Sequence, residues 1–396
     1  MFKHVDAYAG DPILTLNEDF QKDPRQGKIN LSIGIYFDEE GRLPVMDAVR
    51  QAETALLGHI GPKPYLPMSG APDYRQAIQH LLFGAQHEAV TSGRIATIQT
   101  IGGSGALKVG GDFLKRYFPN SQVWVSDPTW DNHRAMFEGA GFTVNTYPYY
   151  DAATCGYDAV GMLAHLRTLP RGSIVLLHAC AHNPTGVDPS AEQWAALSGA
   201  LRRHVVMFDC AYQGFASGDA DRDAASIRRF VADGHELLLA QSFAKNFGLY
   251  GERVGALSVV CSDAAEAKAV ESQLKRAIRP IWSNPPAYGA RLVAGVLDDA
   301  ALAQQWTRDC ATMAERIGAM RAALRAALEA EGSARDWAHV TDQIGMFCYT
   351  GMSEAEVDRL RDEHHVYCTR DGRISMAGVT TENVGRLAAA MRAVCG

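Results

Sequence analysis

The sequence has no Cys-x-x-Cys pair. Its 8 cysteines are scattered along 396 residues, which argues against a zinc site or a disulfide framework and for reduced thiols. No apolar run approaches the roughly 18 residues of a spanning helix, and the opening MFKHVDAYAGDPIL lacks the apolar core of a secretory signal. A membrane partner is therefore not expected, and the cytoplasm is the expected compartment. Positive charge is also in short supply. Lys+Arg number 38 against 45 Asp+Glu, for a formal net charge of -7, the reverse of the basic face that binds nucleic acid. The chain carries no low-complexity linker and no repeat of roughly 20 to 50 residues, which excludes a solenoid.

What is present describes a globular protein with a sizeable core, since 47% of residues are apolar and 21% charged. The length exceeds the roughly 150 residues of one average domain, so two domains, or a large one with a satellite, are expected. Between about 95 and 260, short apolar runs alternate with helical patterns. QVWVS (122–126), SIVLLHA (173–179), VVMFD (205–209), ELLLAQS (236–242) and GALSVV (255–260) read as strands. Helical spacing starts at Ser104 and again at Ala191, the latter after the helix-start signal Asp188-Pro189-Ser190. Continuous apolar strands separated by helices predict an α/β fold with a mostly parallel sheet covered on both faces. Such sheets bind ligands at the carboxyl ends of their strands.

Residues able to do chemistry fall at those ends. Asp209 closes VVMFD with Tyr212 just beyond it, and Asn183 follows SIVLLHA in HACAHNPTGVDP. Trp130 lies in VSDPTWDNH. Singly, each has a plain alternative: a helix cap for the aspartate, turn chemistry for Asn-Pro and Thr-Gly, a core position for the indole. His178 and His182 are four apart on a strand-to-loop segment, where that spacing does not put both rings on one face, so no metal site is expected. IGGSGALKVGG (101–111) fails the dinucleotide fingerprint, the P-loop and the nucleophile elbow. It still offers Gly102, Gly103, Ser104 and Gly105 as a loop opening a helix, whose free N–H groups suit an anion. In SFAKNFGLYGERVG (242–255), Lys245 sits between Ser242 and Arg253. A lysine among polar and cationic groups is placed to act as a neutral nucleophile.

An amine, an acid, a phenol, an amide, an indole and an anion cradle together are what a phosphorylated pyridine aldehyde needs, and here the sequence resembles a known family. It is similar over nearly its whole length to the class I, fold-type I pyridoxal-phosphate aminotransferases of the aspartate and aromatic amino acid group. The segment around Lys245 fits that family's cofactor-attachment pattern. DAYAGDPILTL, YLPMSG, IQTIGGSGALKVG and DFLKRYFP resemble bacterial aromatic-amino-acid (tyrosine) aminotransferases.

The resemblance implies roles. Lys245 would bind the aldehyde of pyridoxal 5'-phosphate and shuttle a proton, with Asp209 and Tyr212 completing the catalytic set. Asp209 would pair with the ring nitrogen and His133 would support it. Tyr212 and Asn183 would meet the ring oxygen, and Trp130 would stack on the ring. Gly103, Ser104, Gly105, Ser242 and Arg253 would hold the phosphate, as would Tyr65 from a neighbouring subunit. Arg373 in DGRISMAG would clamp the substrate α-carboxylate beside Gly34, Trp130 and Asn183, and Arg279, also from the neighbour, would meet a second carboxylate. A homodimer with shared sites follows. Phe37, Leu43 and Ser104 look aromatic-type and Asn284 aspartate-type, which implies ping-pong transamination of tyrosine, phenylalanine and also aspartate with 2-oxoglutarate, against the alternative of aspartate as main donor. Ala244 departs from the pattern, since many relatives have a phosphate-contacting serine there.

The same resemblance implies an N-terminal arm over residues 1–12, a large cofactor domain over 46–312, and a small α/β domain combining 13–45 with 313–396. The small domain would be entered along an amphipathic helix (311–332) and would close over substrate. A related lyase or decarboxylase would use the same Lys245 and Asp209, but Arg279 favours transamination. A transcription regulator on this fold would add a basic N-terminal DNA-binding domain, and the sequence begins without one.

Overall fold

The computed structural model describes residues 1–8, 10–58 and 61–396, so Ala9 of the expected arm and residues 59 and 60 of the expected large domain lie outside the described residues. The chain divides into two compact units, one of residues 44–316 and the other combining 1–43 with 317–396.

The larger unit is built on a 7-stranded sheet. Its strands are β1 (Ile95–Ile101), β2 (Val123–Asp127), β3 (Val144–Pro148), β4 (Ile174–His178), β5 (Val205–Cys210), β6 (Leu237–Ser242) and β7 (Val254–Val260). They lie in the order β1-β7-β6-β5-β4-β2-β3, all parallel except β7, which runs antiparallel to both neighbours. The central strands are apolar and buried along their length. Each face feeds a separate core: Phe208, Phe230 and Trp194 pack on one side, Leu176, Met207 and Leu257 on the other.

Two edge strands escaped the sequence reading for physical reasons. In β1, Thr97 and Gln99 are buried polar residues, and long-range bonds satisfy them: Thr97 Oγ1 with Ser258 Oγ at 2.9 Å, and Gln99 Nε2 to the Pro286 carbonyl at 2.7 Å. β3 is short and half-exposed and ends in proline. The helix read from Ala191 begins there, with Ser190 and Gln193 forming a reciprocal capping box. The helix read from Ser104 instead starts at Gly102 and runs to Tyr117, so Gly103, Ser104 and Gly105 form its first turn and not a preceding loop. The helix expected over 311–332 spans Ala300–Ala330, because the Asp299 carboxylate accepts from the Ala301 and Leu302 amides and starts it earlier.

In the smaller unit, Ile29–Asn30 pairs in parallel with Val366–Tyr367, and Phe347–Tyr349 pairs antiparallel with Arg373–Ser375. Arg321 is buried and donates to the carbonyls of Val340, Gly345 and Phe347, which anchors the second pair from below. The helix Pro12–Lys22 is capped by Asp11, and ahead of it Met1, Phe2, Val5 and Tyr8 are exposed. Among the described residues, no helix is long and apolar enough to cross a membrane.

Candidate active site

Parallel pairing sets the register of the site. His178 at the end of β4 lies opposite Asp209 on β5, and Asp209 lies opposite Ala240 on β6. Asp209 is buried, and its Oδ2 is 2.8 Å from His133 Nε2, while His133 Nδ1 is 2.8 Å from Thr129 Oγ1. Burial pushes the Asp209 carboxyl up; the His133 hydrogen bond, the neighbouring imidazoles and the Lys245 side chain pull it down, and the pull wins. Asp209 is thus a carboxylate held inside the protein, a fixed counter-ion for a cation placed at the strand ends.

Lys245 is half-buried, just beyond the end of β6, with its Nζ 5.4 Å from the centre of the buried Tyr212 ring. Asn183 is buried in the loop after β4. Trp130 immediately precedes the helix Asp131–Gly139 and meets His133 edge-on, with ring centroids 5.3 Å apart.

The anion cradle lies where Gly102 opens its helix. A Cβ on Gly102 would come within 2.7 Å of Arg253 Nη2, and Gly102 has a φ of +74, so only glycine lets the guanidinium approach this first turn. A Cβ on Gly103 would stand 3.0 Å from the Ser242 Cβ. On the far side, Gly255 faces the Gly102 backbone, which a Cβ there would meet at 2.4 Å. Free first-turn amides, a hydroxyl and a guanidinium converge on one volume that side chains would otherwise fill. That donor set fits a phosphate, and the buried Asp209 carboxylate and the Lys245 amine fit the two ends of the ring that such a phosphate would carry. Ala244 is buried beside them and offers no hydroxyl; its amide donates to Ser242 Oγ at 3.3 Å.

In the smaller unit, Arg373 is buried, donates through Nη2 to the Ser32 carbonyl at 2.9 Å, and has its guanidinium carbon 4.1 Å from the Phe347 ring centre. A Cβ on Gly34 would touch the same ring at 3.0 Å, so Gly34, Phe347 and Arg373 form one packed group. Phe37 is half-buried and lines a 690 Å³ cavity with Phe20 and Arg386, whereas Leu43 is exposed. Tyr65 is 91% exposed. Arg279 is exposed at the end of the helix Ala264–Ile278 and donates to Ser283 Oγ.

Sequence spacing separated His178 from His182, but the fold brings their rings to 4.1 Å edge-on and sets His178 5.0 Å from His133. His133, His178 and Asp209 offer ligand atoms within 4.8 Å of one another. His133 Nε2 and Asp209 Oδ2 within this group are hydrogen-bonded to each other. Sequence did not single out His178 and Thr129 as supports of the Asp209–His133 pair, since His178 reaches Asp209 across paired strands and Thr129 meets His133 at an ordinary four-residue spacing. In the smaller unit Phe347 and Ser32 reach Arg373 through contacts remote along the chain.

Burial pushes His178 down to about 3, helped by His133 and opposed by Asp209, and burial likewise pushes His182 down. An unfolded chain takes up protons at these positions near pH 6.5 while the folded one does not, so stability is lost as pH falls below that value. His178 alone accounts for about 2 kcal/mol by pH 5. Thermal melts of the cofactor-free protein from pH 7 to 5 are expected to show falling midpoints, with a shallower fall in His178→Asn.

The family described as Aminotransferase class I and II matches residues 26–391. The chain belongs to that family. It is 53% identical over 397 residues to the aromatic-amino-acid aminotransferase of Escherichia coli (strain K12), covering 100% of both chains. It is 48% identical over 396 residues to the mitochondrial aspartate aminotransferase of Xenopus tropicalis, covering 99% of this chain and 93% of that one. Its structure superposes with a TM-score of 0.97 on an aromatic-amino-acid aminotransferase from Burkholderia pseudomallei covalently bound to pyridoxal phosphate, at 45% identity and covering 100% of each chain.

Proposed function

We propose that this protein transfers amino groups from aromatic L-amino acids, tyrosine and phenylalanine, and also from aspartate, to 2-oxoglutarate, with pyridoxal 5'-phosphate as cofactor. The observation that carries the reading is the convergence of Lys245 and Tyr212, the Asp209–His133 pair and the Gly102–Ser242–Arg253 cradle in one unit. When bound, the cofactor supplies a carbonyl for the substrate amine and an electron sink for the charge left at the substrate α-carbon.

The chain supplies the rest. Asp209 keeps the ring nitrogen protonated, and His133 and Thr129 hold the carboxylate in orientation. The helix start at Gly102 to Gly105, with Ser242 and Arg253, anchors the phosphate end. Lys245 would carry the proton to and from the substrate α-carbon, general acid–base work worth about 10²–10⁴ in rate. Tyr212 and Asn183 would direct hydrogen bonds at the ring oxygen, and Trp130 would cover the ring face. Arg373, beside Gly34, grips the α-carboxylate through its planar fork. Phe37 and Leu43 provide apolar surface for an aromatic side chain, each buried Å² contributing about 25 cal/mol.

We assign cofactor binding to residues 46–312 and substrate closure to 13–45 with 313–396. Residues 1–12 serve as an arm on a second copy of the chain. The exposure of Tyr65 and Arg279 supports sites completed across a homodimer, and we place the enzyme in the cytoplasm.

Absorbance tests the reading. A visible band of the purified protein should bleach with tyrosine or glutamate and return with 2-oxoglutarate; a protein without such a band refutes it. Competition between tyrosine and aspartate ranks the donors, and a strong preference for aspartate would leave the aspartate aminotransferase reading, which Asn284 favours. Arg279→Ala should lower kcat/KM for aspartate about 30-fold or more, the loss of one charged pair, and change that for phenylalanine less than about threefold.

A further inference from the structure

We infer that Trp306 and Asn246 are positioning residues that set the Lys245 amine against Tyr212 from outside the cofactor pocket, an inference that rests on the role proposed for Lys245. Lys245 and Tyr212 sit on separate loops, after β6 and β5, and their 5.4 Å separation has to be maintained by something other than the sheet. Six contacts do this.

The Asn246 side chain crosses between the loops, donating through Nδ2 to the Gln213 carbonyl at 2.8 Å, one residue beyond Tyr212. The Asn246 carbonyl, one residue beyond Lys245, accepts the Trp306 indole N–H at 2.6 Å and the Cys310 thiol at 3.6 Å. The Trp306 ring stacks on Phe247, with centroids 5.2 Å apart and planes 22° apart. Its far edge lies against Gly214, where a Cβ would meet the ring at 3.2 Å and where φ is +80. The loop around Lys245 is itself closed by the Gly248 amide on the Lys245 carbonyl at 3.1 Å.

One indole therefore touches both loops. Asn246, Phe247, Trp306 and Cys310 are each at most 2% exposed, so water does not replace these bonds. A buried carbonyl deprived of its donor is costly to leave unmet, and the loop would move to relieve it. A lysine that must stand between two carbons of a bound molecule loses rate steeply with such displacement. Substrate affinity depends on other groups, so the effect should appear in kcat and not in KM.

Trp306→Phe keeps an aromatic ring beside Phe247 and deletes the N–H donor together with the far edge of the indole that meets Gly214. With tyrosine and 2-oxoglutarate, kcat is expected to fall roughly threefold to tenfold, the worth of one hydrogen bond, with KM within about twofold. The pH midpoint of the visible band of the protein with pyridoxal 5'-phosphate bound is expected to shift, because the Lys245 environment changes. Asn246→Ala, which cuts the tie to Gln213, should reproduce both effects and serves as the measure if Trp306→Phe does not fold. In cofactor-free protein, deuterium exchange at Phe247 and Gly248 should accelerate in both variants. Wild-type kcat and band midpoint in the folded variants, accompanied only by a lower melting temperature, would overturn the inference and leave the role of Lys245 intact. A wild-type protein with no visible band would instead remove the reading on which it rests.

Discussion

Lys245→Ala is expected to keep the fold and lose both half-reactions by at least about 10⁴-fold, since one side chain serves as covalent anchor and as proton carrier. Lys245 is half-buried, and its truncation leaves the Asn246 and Gly248 backbone contacts in place. The melting temperature should therefore change little. Single-turnover absorbance with tyrosine, then with 2-oxoglutarate, measures the loss directly. Turnover within tenfold of wild type would show that another group moves the proton.

Arg373→Leu is expected to lower kcat/KM about 30-fold to 10³-fold for tyrosine and aspartate alike, because both carry the α-carboxylate; this is the 2 to 4 kcal/mol of a buried charged hydrogen-bonded pair. The substitution leaves an apolar side chain on Phe347 and removes one donor from the Ser32 carbonyl, so the native packing has a substitute but the charge has none. Arg373→Lys should recover only part of the loss, since an ammonium lacks the planar fork that meets two oxygens at once. Steady-state kinetics with both donors checks this. A defect confined to one donor would assign Arg373 to side-chain recognition instead of the common carboxylate.

These expectations contrast with that for Arg279, which should separate acidic from aromatic donors. The contrast has a structural basis: Arg373 is packed into its own unit, while Arg279 is exposed and donates to Ser283, four residues on.

Much of this was legible in the residues alone. The apolar runs 173–179, 205–209, 236–242 and 255–260 read as strands, where the structure has Ile174–His178, Val205–Cys210, Leu237–Ser242 and Val254–Val260, because a strand covered on both faces has no polar alternation to blur it. β1 and β3 did not read so, since Thr97 and Gln99 are satisfied by groups far along the chain and β3 is a short edge. Asp209, Tyr212, Asn183 and Lys245 stood out because strand ends in such sheets collect chemistry, and the family resemblance joined them into one cofactor site. Gly102 to Gly105 read as a loop because glycines weaken a helix signal; close approach by Arg253 is what favours glycine at Gly102.

By itself, the sequence determined the parallel α/β architecture, the chemical inventory of the site and the family, because periodicity and local spacing are properties of neighbours along the chain. Tertiary structure alone decided that His178 stands beside Asp209 and His133, that Phe347 underlies Arg373, and that Trp306 bridges the loops of Lys245 and Tyr212. Those contacts join residues whose separation in sequence leaves no local trace, and their energies depend on burial that only the packed fold creates.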